Sequence, residues 1–337
     1  MVSVTRKKGF SWFGLLVLAL ALVALAVSLL VSGNGVHAAT AAAPADPLVG
    51  YGAGTTGGAG GSSVTVTSLS ALESAVSGST ARIVTIAGTI SGATDVKVGS
   101  NKTILGAGST GALVGVSLDL DKVSNVIIRN LSISFVKASD STGDAIHIID
   151  GTTRVWVDHN NLFSDRSHGK DYYDGLLDIT HAADYITVSW NRFHDHYKVS
   201  LVGHSDSNGS QDTGHLHVTY HHNWFYNVGS RLPSLRFGTG HVYNNYFQNV
   251  TDDAVHSREN AQMLVQNNVF VNCGTAITTT GDSKVDGYMN QSGNSFTNSP
   301  ITITRTGSFT QAPYSYTLDA TSSVVNEVTA YSGVGII

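Results

Sequence analysis

One triplet recurs through the second half of this 337-residue chain and limits what it can fold into. Asn-x-Phe stands at Asn161-Leu-Phe163, Asn191-Arg-Phe193, Asn223-Trp-Phe225, Asn245-Tyr-Phe247, Asn268-Val-Phe270 and Asn294-Ser-Phe296, each behind a short strand-like run. The phenylalanines are 30, 32, 22, 23 and 26 residues apart. A near-period in the twenties with variable insertions describes a solenoid, in which no coil buries its own apolar side and stacking makes one continuous core. Each unit reads strand, turn, strand without a helix, so a parallel β-helix fits better than a leucine-rich or helical repeat. A β-sandwich or propeller with chance matches is the alternative. In a β-helix the phenylalanines would stack inside, and the asparagines would stack at a turn, each amide bonding the coils above and below.

The stretch before the repeat agrees. Residues 83–90, 102–106, 125–130 and 145–149 are short and β-branched, bounded by Gly, Ser or Asp, with no long helix between them. Val64 to Val66 reads as a first strand, and Ser68 caps a short helix to Val76 that would cover one end. The glycine-rich run from Tyr51 to Gly61 is either flexible filler or a close-packed turn; no strand precedes it and no helix follows, so it is not a dinucleotide fingerprint.

The first forty residues read as targeting. Arg6, Lys7 and Lys8 precede an apolar run from Gly9 to about Val31, and Val36-His-Ala38 offers small residues for cleavage after Ala38. Residues 1–38 are therefore expected to be a signal peptide and 39–47 a linker, with a retained membrane anchor as the competing reading. Both imply export, and the expected mature protein is a secreted monomer. Removing 1–38 takes away three basic residues and no acid, which moves the formal charge from -5 to -8 and argues against nucleic acid as a partner. The single cysteine, Cys273, excludes an intramolecular disulfide and reads as a small buried residue.

Only 13% of the residues are charged, and the stretch from Asp174 to Arg236 interrupts that economy. It contains Asp174, Asp178, Lys198, Arg231 and Arg236, and it coincides with the two longest repeat spacings. Extra length in a solenoid goes into loops on one face, commonly the binding face. Asp144 lies one coil earlier. Residues four apart on an extended strand are roughly 13 Å apart, so Asp174 and Asp178 could share an ion only with Asp174 on a turn, which Gly175 permits. Three carboxylates without a cysteine suit a hard cation such as calcium; for any one aspartate the plainer reading is a turn or a cap. A cation beside three bases makes sense for a polyanionic ligand. His194-x-His196 and His215-x-His217 could pair imidazoles, but nothing else argues for a transition metal there.

Val155-Trp-Val-Asp-His-Asn160, Asp174-Gly-Leu-Leu-Asp-Ile179, Asp184 to Asn191, Val202 to Asp206, Val218 to Asn223 and Arg231 to Arg236 together resemble the pectate lyase family, as do the opening Gly57 to Gly61 and the closing Val328 to Gly335. The similarity covers residues 48–337. It implies a right-handed parallel β-helix, calcium dependence and eliminative cleavage of α-1,4-polygalacturonate to 4,5-unsaturated products. By the same resemblance Asp144, Asp174 and Asp178 match calcium ligands, Arg231 the catalytic base, and Lys198 and Arg236 the side chains that hold substrate carboxylates. Some members carry a further acid where this chain has Thr142. An arginine is ordinarily protonated, so an alkaline optimum is expected. A lyase for methyl-esterified pectin would not need the aspartates, a non-catalytic carbohydrate-binding β-helix would not need Arg231, and a β-helix hydrolase would need paired carboxylates. Asp252-Asp253 is such a pair, but along the sequence it lies apart from the basic cluster.

Overall fold

The computed structural model describes residues 1–3 and 47–337. The apolar run, the cleavage site and all but Pro47 of the expected linker lie outside the described residues. From Ser62 onward the chain winds as a parallel β-helix. Ten strands, from Ser62–Val66 to Tyr288–Ser292, form one continuous sheet, each paired in parallel with the strand one coil away. The other faces make up a second sheet of fourteen strands. Long strands such as Tyr246–Arg258 turn a corner within it, at an irregularity between Val250 and Asp253. The expected strand over 83–90 is two strands, Arg82–Ile86 and Thr89–Lys97, separated where Gly88 takes a left-handed φ of 78°.

The helix Leu69–Val76 is capped by Ser68, whose hydroxyl accepts the amide of Ala71, and it buries Leu72, Ala75 and Val76 at the N-terminal end. The glycine run is packed rather than loose. The amides of Tyr51 and Gly52 donate to the hydroxyls of Thr219 and Thr187, those of Thr56 and Gly57 to the Asn125 side chain, and that of Gly58 to Thr103, so the run crosses successive coils of the ten-stranded sheet. A β-carbon at position 58 would lie 2.0 Å from the Arg82 carbonyl oxygen, which explains a glycine there.

Both repeat ladders form, with one correction. Asn160, Asn191, Asn223, Asn245, Asn268 and Asn294 stack. From Asn191 onward each side-chain oxygen accepts the backbone and side-chain N–H of the asparagine in the preceding coil, and from Asn160 onward each amide also donates to a carbonyl of the coil before. Five of the six are buried. Inside, Phe193, Phe225, Phe247 and Phe270 are fully buried, with ring centroids 4.5–5.0 Å apart and planes within 6°. Each such side chain contributes about 1.5–3 kcal/mol by burial. The expected triplet Asn161-Leu-Phe163 is one residue out of register, because Asn161 pairs with Arg192 and Leu162 with Phe193. Asn160 therefore joins the ladder and Leu162 fills the phenylalanine position, while Phe163 points outward and stacks on His194 at 4.7 Å.

Candidate active site

Parallel in-register pairing carries outward side chains along rows. One row, in successive coils, is Asp119, His147, Asp178, Leu201, Ser234, His256. Two residues further along each strand, another ends in Arg236 and Arg258. The charged stretch of the sequence becomes one face of the solenoid through these rows.

Asp144 lies just before the strand Ile146–Ile149, Asp174 and Gly175 lie in the turn before Leu177–Ile179, and Asp178 is in that strand. Asp144 accepts the Gly175 amide at 2.7 Å, and Asp178 accepts that of Leu201 at 2.9 Å. A β-carbon at 175 would meet Asp144 Oδ1 and Asp178 Oδ1 at 2.6 Å each, so the glycine lets the two carboxylates converge. Both are buried. Burial pushes Asp178 up to about 6, and burial with the neighbouring charge of Asp178 pushes Asp144 well above the usual carboxylate range. Two converging buried carboxylates of raised pKa, with oxygen donors only, fit a hard cation. Asp174 does not complete a three-carboxylate cluster with them. It reaches the Lys198 ammonium at 2.5 Å, and Asp171 reaches the same ammonium at 2.9 Å. Burial opposes the charge on Lys198, but these two carboxylates outweigh it and hold the lysine above its ordinary value. The position of the acid absent from the sequence, Thr142, donates through its amide and hydroxyl to Asp95, which brings a carboxylate from an earlier coil to its flank.

The insertion at 164–173 is pinned rather than free. Asp165 accepts from Ser167, His168 and Tyr173, and Arg166 lies 4.7 Å over the Tyr197 ring. Neither His194 nor His196 is free for a metal. His194 contacts Asp195 and Asn161, and His196 contacts Ser164 and the Asp174 carbonyl. Burial holds His196 down to about 4, so it supports the Asp174 turn as a neutral ring.

Arg231 is half-buried and has a left-handed φ of 66°. It borders two depressions: one of about 550 Å³ with Asp144, Asp174 and Asp178, and one of about 470 Å³ with Lys198, Arg236 and Arg258. Among the described residues its guanidinium has no hydrogen-bond or ion-pair partner. Arg236, by contrast, is buried and held by Asp206 at 2.6 Å and the Gly203 carbonyl at 2.9 Å.

Two features escaped the sequence reading. Arg258 sits one coil from Arg236, donates to Ser283, Ser234 and the Asp282 carbonyl, and is pulled down to about 10 by burial and the Arg236 charge. Asp252 and Asp253 do not lie apart from the basic cluster: both line its depression. Other expectations stand where the sequence put them. Cys273 is buried, its thiol pushed up to about 11 by burial, and Asp158 is buried in a network with Arg129, His159 and Ser189.

The family model described as pectate lyase matches residues 18–337. Pectate lyase A of Aspergillus niger is 47% identical over 281 residues, 83% of this chain and 84% of the relative. A pectate lyase from Bacillus sp. N165, solved in complex with trigalacturonate, superposes with a TM-score of 0.78 at 35% identity, over 86% of this chain and 99% of that one. Pectate lyase II of Xanthomonas campestris pv. campestris gives 0.76 at 28% identity, over 86% and 99%. With the family model matching nearly the whole chain and a β-helix that superposes on solved members, this protein belongs to the pectate lyase family.

Proposed function

We propose that this polysaccharide lyase is an exported, calcium-dependent enzyme that cleaves α-1,4-polygalacturonate by β-elimination. Residues 1–38 would direct export and be removed, leaving 48–337 as the catalytic β-helix. The observation that carries the reading is the position of Arg231: an unpaired guanidinium between a converging pair of buried carboxylates and a depression lined by lysine and arginine.

Asp144, Asp178 and Asp174 are the residues that would hold calcium, with Asp174 released from Lys198. Bound there, calcium would neutralise a uronate carboxylate and acidify its C5 proton. Lys198 and Arg236, joined by Arg258, hold further substrate carboxylates. The neutral guanidine form of Arg231 takes the C5 proton; the C5–H electron pair forms the C4–C5 double bond, and the C4–O bond breaks, its oxygen leaving with a proton from water. Alkaline conditions favour an arginine in this role. The aspartate pair favours unesterified substrate, since a methyl ester would give a cation beside it little to neutralise.

The test is polygalacturonate with calcium, followed by ultraviolet absorbance of the unsaturated product. Expected is a signal that chelator removes and calcium restores. No signal, or one indifferent to chelator, would falsify the proposal.

A further inference from the structure

We propose that Asp253, His256 and Asp282 form a second metal site, for a borderline divalent cation of the zinc class, at the opposite end of the cleft from the Asp144–Asp178 pair. One ligand atom from each of the three residues lies within 4.8 Å of the other two. His256 occupies the same outward row as Asp178, three coils further along, roughly 14 Å at the usual interstrand spacing. All three residues line the basic depression.

The imidazole is the second, independent observation. His256 is almost completely buried, and its Nε2 has no hydrogen-bond partner. Its Nδ1 is 3.7 Å from the Asp253 carboxylate, beyond hydrogen-bond reach. A buried ring nitrogen without a partner is costly, and coordination through Nε2 would remove that cost. The only other three-ligand cluster among the described residues, His222–Asp319–Glu327, differs on this point: both ring nitrogens of His222 are already engaged, by His221 and Asp319.

The surrounding charges leave the carboxylates available. Arg236 and Arg258 share Asp206, at 2.6 and 3.7 Å, and Arg258 donates to the carbonyl of Asp282 rather than its carboxylate. Among the described residues no lysine or arginine forms an ion pair with Asp253 or Asp282. Asp253 retains a hydrogen bond from Thr275, the kind of outer contact that orients a metal ligand. Two carboxylate oxygens and one imidazole nitrogen are a donor set for zinc, cobalt or manganese; calcium, which takes oxygen ligands, is disfavoured by the ring. Three ligands leave a position open. A uronate carboxylate could fill it, which would resolve why a cleft for a polyanion ends in aspartates. That consequence rests on the polygalacturonate reading, whereas metal uptake does not.

The experiment is equilibrium dialysis of the chelator-treated full chain against cobalt(II) in excess calcium, with the visible d–d absorption of the bound ion as a second readout. Expected is one cobalt per chain, displaced by zinc, retained in Asp178→Asn and weakened at least about 100-fold in His256→Ala. Asp282→Asn, at an exposed rim position that cannot disturb the core, should weaken it about 10-fold. Circular dichroism of each variant distinguishes lost ligation from lost fold. No stoichiometric uptake by the wild type, uptake undiminished in both His256→Ala and Asp282→Asn, or one-for-one displacement by calcium would each overturn the proposal. Because the readout is binding, a failure here is separate from a failure to cleave polygalacturonate.

Discussion

Asp144 reaches across one coil to accept the backbone amide of Gly175 at 2.7 Å. That bond fixes one carboxylate over the glycine on which Asp178 also converges. Gly175→Ala would place a methyl group 2.6 Å from an oxygen of each, so the two carboxylates could no longer converge there. Calcium affinity should fall at least about 10-fold, with Arg231 and Lys198 untouched. Calorimetric titration of the variant checks this; unchanged affinity would remove Asp144 and Asp178 as ligands.

Lys198 holds Asp174 in an ion pair and would compete with a cation for it. Lys198→Met should therefore bind calcium several-fold more tightly while raising KM for polygalacturonate, since the side chain proposed to meet a substrate carboxylate is gone. Both constants from one preparation test the idea, and it fails if calcium binding weakens.

Arg231→Ala should lower kcat by about 10²–10⁴, the range for loss of a positioned proton acceptor, and leave the melting temperature within about a degree or two. The second expectation follows from its lack of partners among the described residues. A large drop in melting temperature would mean that the arginine is structural.

In Asn223→Ala the fold is the target. Asn223 donates to Val188 and Asn245 and accepts from both amides of Asn191. Removing it strands several buried polar groups and should cost about 2–4 kcal/mol in urea unfolding, with residual activity per folded molecule preserved.

Stability should respond to pH through two opposed sets of groups. Burial holds His196 and His241 down to about 4, so the stability they confer is complete above the ordinary histidine value and is lost as pH falls from about 6.5 toward 4, by up to about 1.4 kcal/mol per ring per pH unit. Asp178, raised to about 6, acts oppositely: without calcium, stability falls as pH rises from about 4 to 6. Calcium would hold the carboxylates ionised and remove that compensation. Urea titrations should show steeper acid destabilisation with calcium than with chelator, and parallel curves would contradict the assignment.

The ladders were legible because a solenoid writes its repeat directly as spacing. The slip at Asn160-Asn161 has a simple cause. Two adjacent asparagines and the apolar pair Leu162-Phe163 satisfy either parity, and a shift of one residue exchanges the faces of a strand. The motifs singled out the aspartates and Arg231, which the fold brings to one depression. Arg258 and His256 were not legible, although a signal existed. Each lies 22 residues after its neighbour in the previous coil, Arg236 or Ser234, and 22 is also the local separation of Asn223 and Asn245. Applying the ladder's own period to the charged residues would have placed Asp253 and Arg258 beside the cleft.

The in-register rows make the cleft a ruler. Every coil advances its outward side chains by one interstrand step of about 4.8 Å, so groups that touch a long polymer are set on a one-dimensional lattice whose pitch the backbone dictates. Exchanging a single coil, with its asparagine and core residue kept, would rewrite one graduation of that ruler and leave its neighbours in place. Binding preferences along the chain could then be edited one step at a time.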